Sequence, residues 1–194
     1  MAEVSTDFQN TSTAKPIVSA VTIPDVPSEI EKQTGYCLVM CSYAVLRYWE
    51  RRGFLRTALP SYDAFKKTFG RYVDLLGFPP NKLNDYLRDI CKKDRLKVQH
   101  REGSIESLQA HLRNKIPVIS LFDYNMYQRG QPARSTHATV LVGYTPENML
   151  ANDPFHDKKY PYEKNRFQEA WALRNNRYIL ITTKVTLNSF PTEP

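Results

Sequence analysis

The stretch Cys37–Trp49 constrains the fold more than any other part of the sequence. It reads CLVMCSYAVLRYW, and only Ser42 and Arg47 within it are strongly polar. A helix that is apolar on every face has to be covered on every side, so this run predicts a buried central helix. The polar residues Glu50–Arg52, followed by Gly53, predict where that helix ends.

The composition predicts one globular domain preceded by a tail. The chain has 194 residues, of which 41% are hydrophobic, enough for a substantial core. Residues 1–20 are polar, aperiodic and rich in Ser and Thr, so we expect a mobile tail and a single domain over residues 21–194. Neither a membrane span nor a signal peptide is evident. We therefore expect a protein of the cytoplasm, or one delivered into a target cell's cytoplasm, without a membrane partner.

The charge and the cysteines exclude several other classes. The chain carries 27 Lys and Arg against 20 Asp and Glu. The densest basic run, within 92–101, has no nucleic-acid recognition motif around it, so we interpret it as a solvated face and expect no nucleic-acid partner. Three cysteines predict free thiols rather than a disulfide framework. No second ligand pair accompanies Cys37 and Cys41, which disfavours a zinc site. We expect no metal and no organic cofactor.

Helical and strand patterns occupy different parts of the chain. Apolar residues at helical spacing predict helices within 62–69, 83–91 and 104–112. From Ile116 the pattern changes to strands, with a polar connection over 123–135 and strands over 116–122, 136–144, 149–152 and 178–187. Helices followed by an antiparallel sheet are typical of the α+β class.

Cys37 lies at the first turn of the predicted buried helix. The positive end of a helix dipole favours thiolate over thiol, which makes Cys37 a candidate nucleophile. The alternative is an unreactive core cysteine, because free cysteine is often buried. We expect Cys41, one turn later, and Cys91 to lie in the core.

His137 and Asp153 are predicted to lie at the same open end of a β-hairpin. His137 begins one strand, and Asp153 ends the returning strand just before Pro154. A carboxylate in that position can hold an imidazole in one tautomer and stabilise its charged form. Taken separately, the two residues could equally be a surface histidine and an Asp-Pro strand end.

Five segments in order resemble those of papain-like cysteine peptidases, in particular the bacteriocin-processing (double-glycine) group and related bacterial effector peptidases. They are CLVMCSYAVLRYW, GSIESLQAHLRNKIPVISL, HATVLVGY, NDP and FQEAW. The resemblance covers about residues 21–183. It implies a helical lobe that contains the buried cysteine helix and packs on a C-terminal antiparallel sheet.

The resemblance also implies a catalytic triad. Cys37 corresponds to the nucleophile, His137 to the general base and acid, and Asp153 to the orienting carboxylate. Asn152 is a rival for the third position, because papain itself uses an asparagine there.

An oxyanion-hole glutamine is implied as well, with the cysteine's own backbone N–H as its partner. Gln33 is the nearby candidate, although it lies closer to Cys37 than the family's glutamine does, and an ordinary exposed side chain is the alternative. Leu38 stands where the family commonly has glycine. These departures bear on substrate geometry rather than on the fold.

The expected function is hydrolysis of a peptide bond in a specific protein substrate. A basic chain without signal peptide or membrane span fits a delivered bacterial effector or toxin domain, for which an inhibitor or immunity protein is a further expected partner. Two alternatives remain open at this point. The same triad serves acyl transfer and glutamine deamidation, and a degenerate peptidase fold can be a non-catalytic binding module.

Overall fold

A computed structural model describes residues 20–28, 35–74, 77–94, 96–156 and 159–183. These residues contain six α-helices, seven β-strands and a short 3-10 helix, Pro80–Lys82. The helices are α1 (Cys37–Arg51), α2 (Tyr62–Gly70), α3 (Leu83–Ile90), α4 (Ile105–Arg113), α5 (Tyr124–Arg129) and α6 (Lys164–Ala172). The strands are β1 (Val21–Thr22), β2 (Leu96–Glu102), β3 (Val118–Phe122), β4 (His137–Tyr144), β5 (Asn148–Asn152), β6 (Tyr160–Glu163) and β7 (Arg177–Thr183).

The strands form one antiparallel sheet in the order β2-β7-β3-β4-β5-β6. Strands β3 to β6 follow one another as a meander, whereas β7 lies between β2 and β3. The short strand β1 pairs with the far end of β4, where Val21 lies opposite Tyr144. Gly143 makes this pairing possible, because a Cβ atom there would collide with the carbonyl oxygen of Val21.

Helix α1 is the central element that the sequence predicts. It packs against β4, β3 and β7, and eleven of its residues are buried. Two of its aromatic side chains also bond to the backbone beneath them: Trp49 Nε1 donates to the carbonyl of Ile181 at 2.7 Å, and the Tyr48 hydroxyl donates to that of Lys115 at 2.9 Å. Replacing a fully buried Trp such as Trp49 with Ala costs about 3–5 kcal/mol.

The two strongly polar residues within the apolar run of α1, Ser42 and Arg47, have hydrogen-bond partners on the same helix. Ser42 is buried, and its hydroxyl donates to the carbonyl of Leu38, one turn earlier, at 2.8 Å. Arg47 donates to the Tyr43 hydroxyl at 2.8 Å and pairs with Glu50. An almost wholly apolar helix therefore fits the core with its polar groups satisfied.

The predicted α+β class is confirmed, and helices and strands are less separated along the chain than expected. Strand β2 pairs with β7 over its whole length, although the sequence patterns predicted no strand there, and its basic side chains Lys97 and Arg101 are exposed as a solvated face requires. The predicted polar connection before β4 contains α5, which begins where the Asp123 side chain accepts a hydrogen bond from the N–H of Met126. Strand β2 depends on a partner that lies far away in sequence, and local patterns do not record such partners.

Two expectations concern residues at the edges of the described ranges. The predicted tail lies outside the described residues except for Ala20, and the predicted last strand is described only to Thr183. Within the described ranges, no helix is both long enough and apolar enough to cross a membrane.

Candidate active site

Cys37 is the first residue of α1 and is half-buried at the edge of a cleft. The chain reaches it through Gly35, which has a φ of 91° and passes close to Gly77. The carbonyl of Gly35 accepts a hydrogen bond from the N–H of Phe78 at 3.2 Å. This contact fixes the turn from which α1 starts, and with it the position of the thiol.

His137 and Asp153 meet beside that thiol. His137 is the first residue of β4, and Asp153 directly follows β5, the strand paired with β4. Nε2 of His137 lies 2.7 Å from Oδ2 of Asp153, and both side chains are buried. Cys37 and His137 also act on each other, because the interaction between them lowers the pKa of Cys37 and raises that of His137. Since Nε2 is engaged by Asp153, Nδ1 is the ring nitrogen left for the thiol.

The carboxylate of Asp153 has three donors and no exposure to solvent. Oδ2 accepts from the hydroxyl of Tyr162 at 2.6 Å as well as from His137, and Oδ1 accepts from the N–H of Phe155 at 2.7 Å. Burial alone would raise the pKa of Asp153, but these hydrogen bonds outweigh it and lower that pKa. The carboxylate is therefore charged at neutral pH.

The pKa values of His137 and Cys37 are shifted as well. Burial would lower the pKa of His137, but the hydrogen bonds with Asp153 and Cys37 raise that pKa to about 9. Burial would raise the pKa of Cys37, but bonds from His137 and from the N–H groups of Ala138 and Leu38 lower it. Both shifts favour a thiolate–imidazolium pair over the neutral thiol and imidazole.

The other two cysteines have the opposite character. Burial raises the pKa of Cys41 well above its ordinary value, and it raises the pKa of Cys91 to about 12. Both side chains are fully buried, as the sequence predicted. Of the three thiols, Cys37 alone combines partial exposure with a lowered pKa.

Three aromatic rings surround the imidazole of His137: those of Phe122, Tyr124 and Phe155. Phe155 stacks on His137, with ring centroids 4.5 Å apart and planes 14° apart, and the ring of Tyr124 lies 5.0 Å away. Phe155 is itself 43% exposed, so it covers the histidine from solvent. Excluding water in this way strengthens the hydrogen bond between His137 and Asp153.

Cys37 opens onto a cleft of about 500 Å³ between the helices and the sheet. One wall comes from the turn before α1 and from residues 77–80. The other comes from Leu121, Ala138, residues 134–136, residues 173–175 and Arg177. A half-buried thiol of lowered pKa, a buried His–Asp pair and an adjoining cleft are together the groups that covalent catalysis by a cysteine requires.

The sequence agrees with this geometry. A family model described as "Peptidase_C39 like family" matches residues 20–179, which is most of the chain. The chain belongs to the C39-like peptidase family. Its members are cysteine proteases, as the resemblance in sequence implied. No curated protein matches this sequence.

Solved structures share the fold of this C39-like peptidase at low sequence identity. A C39-like peptidase from Bacillus anthracis is 15% identical, with a TM-score of 0.62 over 84% of this chain and 98% of that one. The double-glycine motif protease of an AMS/PCAT transporter, solved with its leader peptide, is 15% identical, with a TM-score of 0.58 over 86% and 99%. The peptidase domain of Streptococcus ComA, a bi-functional ABC transporter, is 14% identical, with a TM-score of 0.58 over 81% and 98%.

Asn152, the rival third residue, has a different set of contacts. Its side-chain amide donates to the carbonyls of Val26 and Pro27 at 2.8 and 3.3 Å, and its Oδ1 accepts from the N–H of Lys159 at 3.1 Å. Asn152 therefore ties the segment after β1 to the sheet. The hydrogen bond to His137 is made by Asp153.

Of the two residues that bear on the predicted oxyanion hole, Gln33 and Leu38, the structure describes only Leu38. Gln33 lies outside the described residues. Leu38, which replaces the family's common glycine, is buried and lines the cleft next to Cys37. Among the described residues, no group of three His, Cys, Asp or Glu side chains is placed to hold a metal ion.

Three residues of the peptidase's site were missed by sequence reasoning. Tyr162 bonds to Asp153, Phe155 covers His137, and Arg174 binds the loop that leads into β4. Arg174 donates to the carbonyls of Ala133 and Ser135 at 2.6 and 3.1 Å. None of the three has a sequence pattern of its own, although Phe155 lies close enough to Asp153 in the chain to have been considered.

Proposed function

We propose that the protein hydrolyses a peptide bond of a protein substrate through a triad of Cys37, His137 and Asp153. The observation that carries the proposal is the buried hydrogen bond between His137 and Asp153, together with the half-buried Cys37, whose pKa His137 lowers. A second observation supports it, since Cys37 lines the cleft where a peptide could lie.

In the first step the thiolate of Cys37 attacks the carbonyl carbon of the scissile bond. The C–S bond forms as the carbonyl π electrons move to oxygen, giving a tetrahedral oxyanion. The imidazolium of His137 then transfers its Nδ1 proton to the leaving amine, and the C–N bond breaks. Asp153 keeps the imidazole oriented throughout and stabilises its charged form.

In the second step water releases the acyl group. The now neutral His137 accepts a proton from water, and the hydroxide attacks the thioester carbonyl. The C–S bond breaks, which restores the thiolate and the imidazolium. Asp153 remains a carboxylate in every step, because its hydrogen bonds favour the charged form.

The oxyanion needs donors near the sulfur. Cys37 is the first residue of α1, and N–H groups in the first turn of a helix have no partner within the helix. We assign the N–H of Cys37 as one donor, aided by the positive end of the helix dipole, and Gln33 as the second.

We further propose that the substrate is a specific protein and that the enzyme acts as a delivered bacterial effector or toxin, with an inhibitor or immunity protein as its natural antagonist. This role rests on analogy within the fold. It predicts that one or a few proteins of a cell lysate are cleaved. Indiscriminate degradation would contradict it.

The test begins with the thiols. Limiting iodoacetamide is applied over a range of pH, and alkylation of each cysteine is read by peptide mass spectrometry. Cys37 should react much faster than Cys41 and Cys91, with a midpoint below that of a free thiol, because its pKa is lowered and theirs are raised. His137→Ala should abolish this advantage. Equal inertness of all three cysteines would remove the nucleophile and contradict the proposal.

The reaction is then identified in a lysate, with Cys37→Ala as the matched control. Hydrolysis gives new protein N-termini that the control lacks. A change of substrate mass without scission would instead indicate acyl transfer or deamidation. Persistence of the full biological effect in Cys37→Ala would indicate a binding module and overturn the proposed triad.

A further inference from the structure

We infer that the cleft selects peptides with an acidic side chain within about three residues of the scissile bond, bound by Arg134 and Arg177. This inference rests on the proposed peptidase function and adds the chemistry of its substrate. It is carried by the charges that line the cleft.

Three arginines and one carboxylate line the cleft among the described residues: Arg134, Arg174, Arg177 and Asp74. Two of the arginines differ from the third. Arg174 is neutralised inside the fold, because its guanidinium lies 2.9 Å from the fully buried carboxylate of Asp123. Its hydrogen bonds to nearby carbonyls occupy the same group. Arg174 is thus a structural part of the cleft wall, and its charge is already paired with that of Asp123.

Arg134 and Arg177 keep their charge for the cleft. Arg134 is exposed and has no ionic partner among the described residues. Arg177 lies 3.7 Å from Glu102, but both side chains are more than half exposed, so water screens that pair strongly. The cleft therefore holds two guanidinium groups that a carboxylate of a ligand could engage.

The sheet register places these groups with respect to the catalytic residues. Leu121 lies opposite Ala138, and Arg177 continues the β3–β7 pairing one step beyond Tyr178, beside Leu121. Cross-strand partners share one face of a sheet, and all three of these residues line the cleft. Arg177 is thus two strands from Ala138, a distance of about 10 Å.

Arg134 is close to the site along the chain rather than across the sheet. It precedes His137 by three residues, and an extended segment of that length spans at most about 10 Å. An extended peptide advances about 3.3 Å per residue. The backbones of Arg134 and Arg177 therefore lie within about 10 Å of His137 and Ala138, a span of about three residues of an extended substrate, and both residues line the cleft.

The first experiment measures the electrostatic potential at the Cys37 thiol and needs no peptide substrate. Anionic iodoacetate and neutral iodoacetamide are compared as alkylating agents, and their rate ratio is normalised to that of 2-mercaptoethanol. The ratio should exceed that of the reference thiol and fall about three- to tenfold in Arg134→Gln/Arg177→Gln. It should also fall with added salt. Arg88→Gln, an exposed arginine of α3 outside the cleft, is the matched control and should leave the ratio unchanged.

The second experiment measures the preference for substrate. A library of peptides from a digested proteome is incubated with the enzyme, and cleaved sites are read by mass spectrometry. The wild type should cleave sites enriched in Asp or Glu within three residues. Arg134→Glu/Arg177→Glu should prefer Lys or Arg there, and its reaction with iodoacetamide shows whether it is folded.

The outcomes separate the two proposals. Cleavage without acidic enrichment, or a rate ratio that the double Gln variant leaves unchanged, overturns the acidic preference and leaves the peptidase function standing. Absence of any cleavage by the wild type in both peptides and lysate overturns the peptidase function, and the preference falls with it.

Discussion

The hydroxyl of Tyr162 lies 2.6 Å from Oδ2 of Asp153, the same oxygen that lies 2.7 Å from Nε2 of His137. One carboxylate oxygen thus takes donors from a strand on each side, since His137 begins β4 and Tyr162 belongs to β6. Burial and the neighbouring carboxylate raise the pKa of Tyr162, so this tyrosine stays a donor at every pH of interest. Tyr162 is therefore a positioning residue for the Asp–His pair.

Tyr162→Phe tests that role. Loss of a hydrogen bond to a charged group should lower the free energy of unfolding by about 1.5–3 kcal/mol, measured by urea denaturation. The pKa of Asp153 should rise, and the alkylation midpoint of Cys37 should move upward as the imidazole is held less firmly. Tyr160→Phe is the matched control, because the ring of Tyr160 stacks on His156 instead. A shift of equal size in the control would contradict the assigned role.

Asp153→Asn and Asn152→Ala should have different effects. Asp153→Asn removes the charge that holds His137 protonated, so the reactivity of Cys37 at neutral pH should fall by an order of magnitude or more. Asn152→Ala breaks bonds to the segment after β1, so it should lower the melting temperature while the pH midpoint of Cys37 alkylation stays in place. The reverse pattern would make Asn152 the third member of the triad.

Hydrolysis should show a bell-shaped dependence on pH. On the acid side, activity is lost as the thiolate of Cys37 becomes protonated, and this limb lies below the pKa of an ordinary thiol. On the alkaline side, activity is lost near pH 9, where His137 gives up the proton that the leaving amine needs. Alkylation of Cys37 should lack the alkaline limb, because it needs only the thiolate. A decline of both reactions above pH 9 would indicate unfolding instead.

The raised pKa of His137 also predicts how stability changes with pH. The pKa of about 9 in the folded protein exceeds the ordinary 6.5, so the folded state binds this proton more tightly. The resulting stabilisation is complete below pH 6.5 and is lost as the pH rises through 9. Urea unfolding on both sides of this range measures it, and His137→Ala should reduce the difference. An unchanged difference in the variant would assign the effect to other groups.

Arg174→Ala should disturb the active site although Arg174 contacts none of Cys37, His137 and Asp153 in the hydrogen bonds described. The change leaves the fully buried Asp123 carboxylate without its cation, which costs about 3–5 kcal/mol of stability. It also frees the loop that leads into β4, so His137 should be held less firmly. The alkylation rate of Cys37 should therefore fall. Adding Asp123→Asn should recover part of the melting temperature. No recovery in the double variant would show that the carbonyl contacts of Arg174 matter more than its ion pair.

The sequence was most informative where a single element determines its own environment. The apolar run from Cys37 predicted a buried helix. The alternation of polar and apolar residues after His137 predicted a strand in a hairpin. These two patterns also place a cysteine, a histidine and an aspartate at element ends, and the structure brings the three together. The α+β class and the family follow from the same elements.

The remaining features depend on contacts between distant parts of the chain. Strand β2 exists because β7 pairs with it some eighty residues later, and α5 begins on an aspartate that also binds Arg174. The cleft charges likewise depend on which arginines are neutralised inside the fold, as Arg174 is and Arg134 is not. Such pairings leave no periodic trace in the sequence.

The place of β7 between β2 and β3 has a consequence for biosynthesis. During translation, α1 and the hairpin leave the ribosome before β7, yet the backbone of β7 accepts the indole hydrogen bond of Trp49 and joins β3 to β2. Cys37 and His137 are 100 positions apart, and the strand that completes the sheet behind α1 is made after both. The core around α1 is therefore complete only once β7 has joined the sheet.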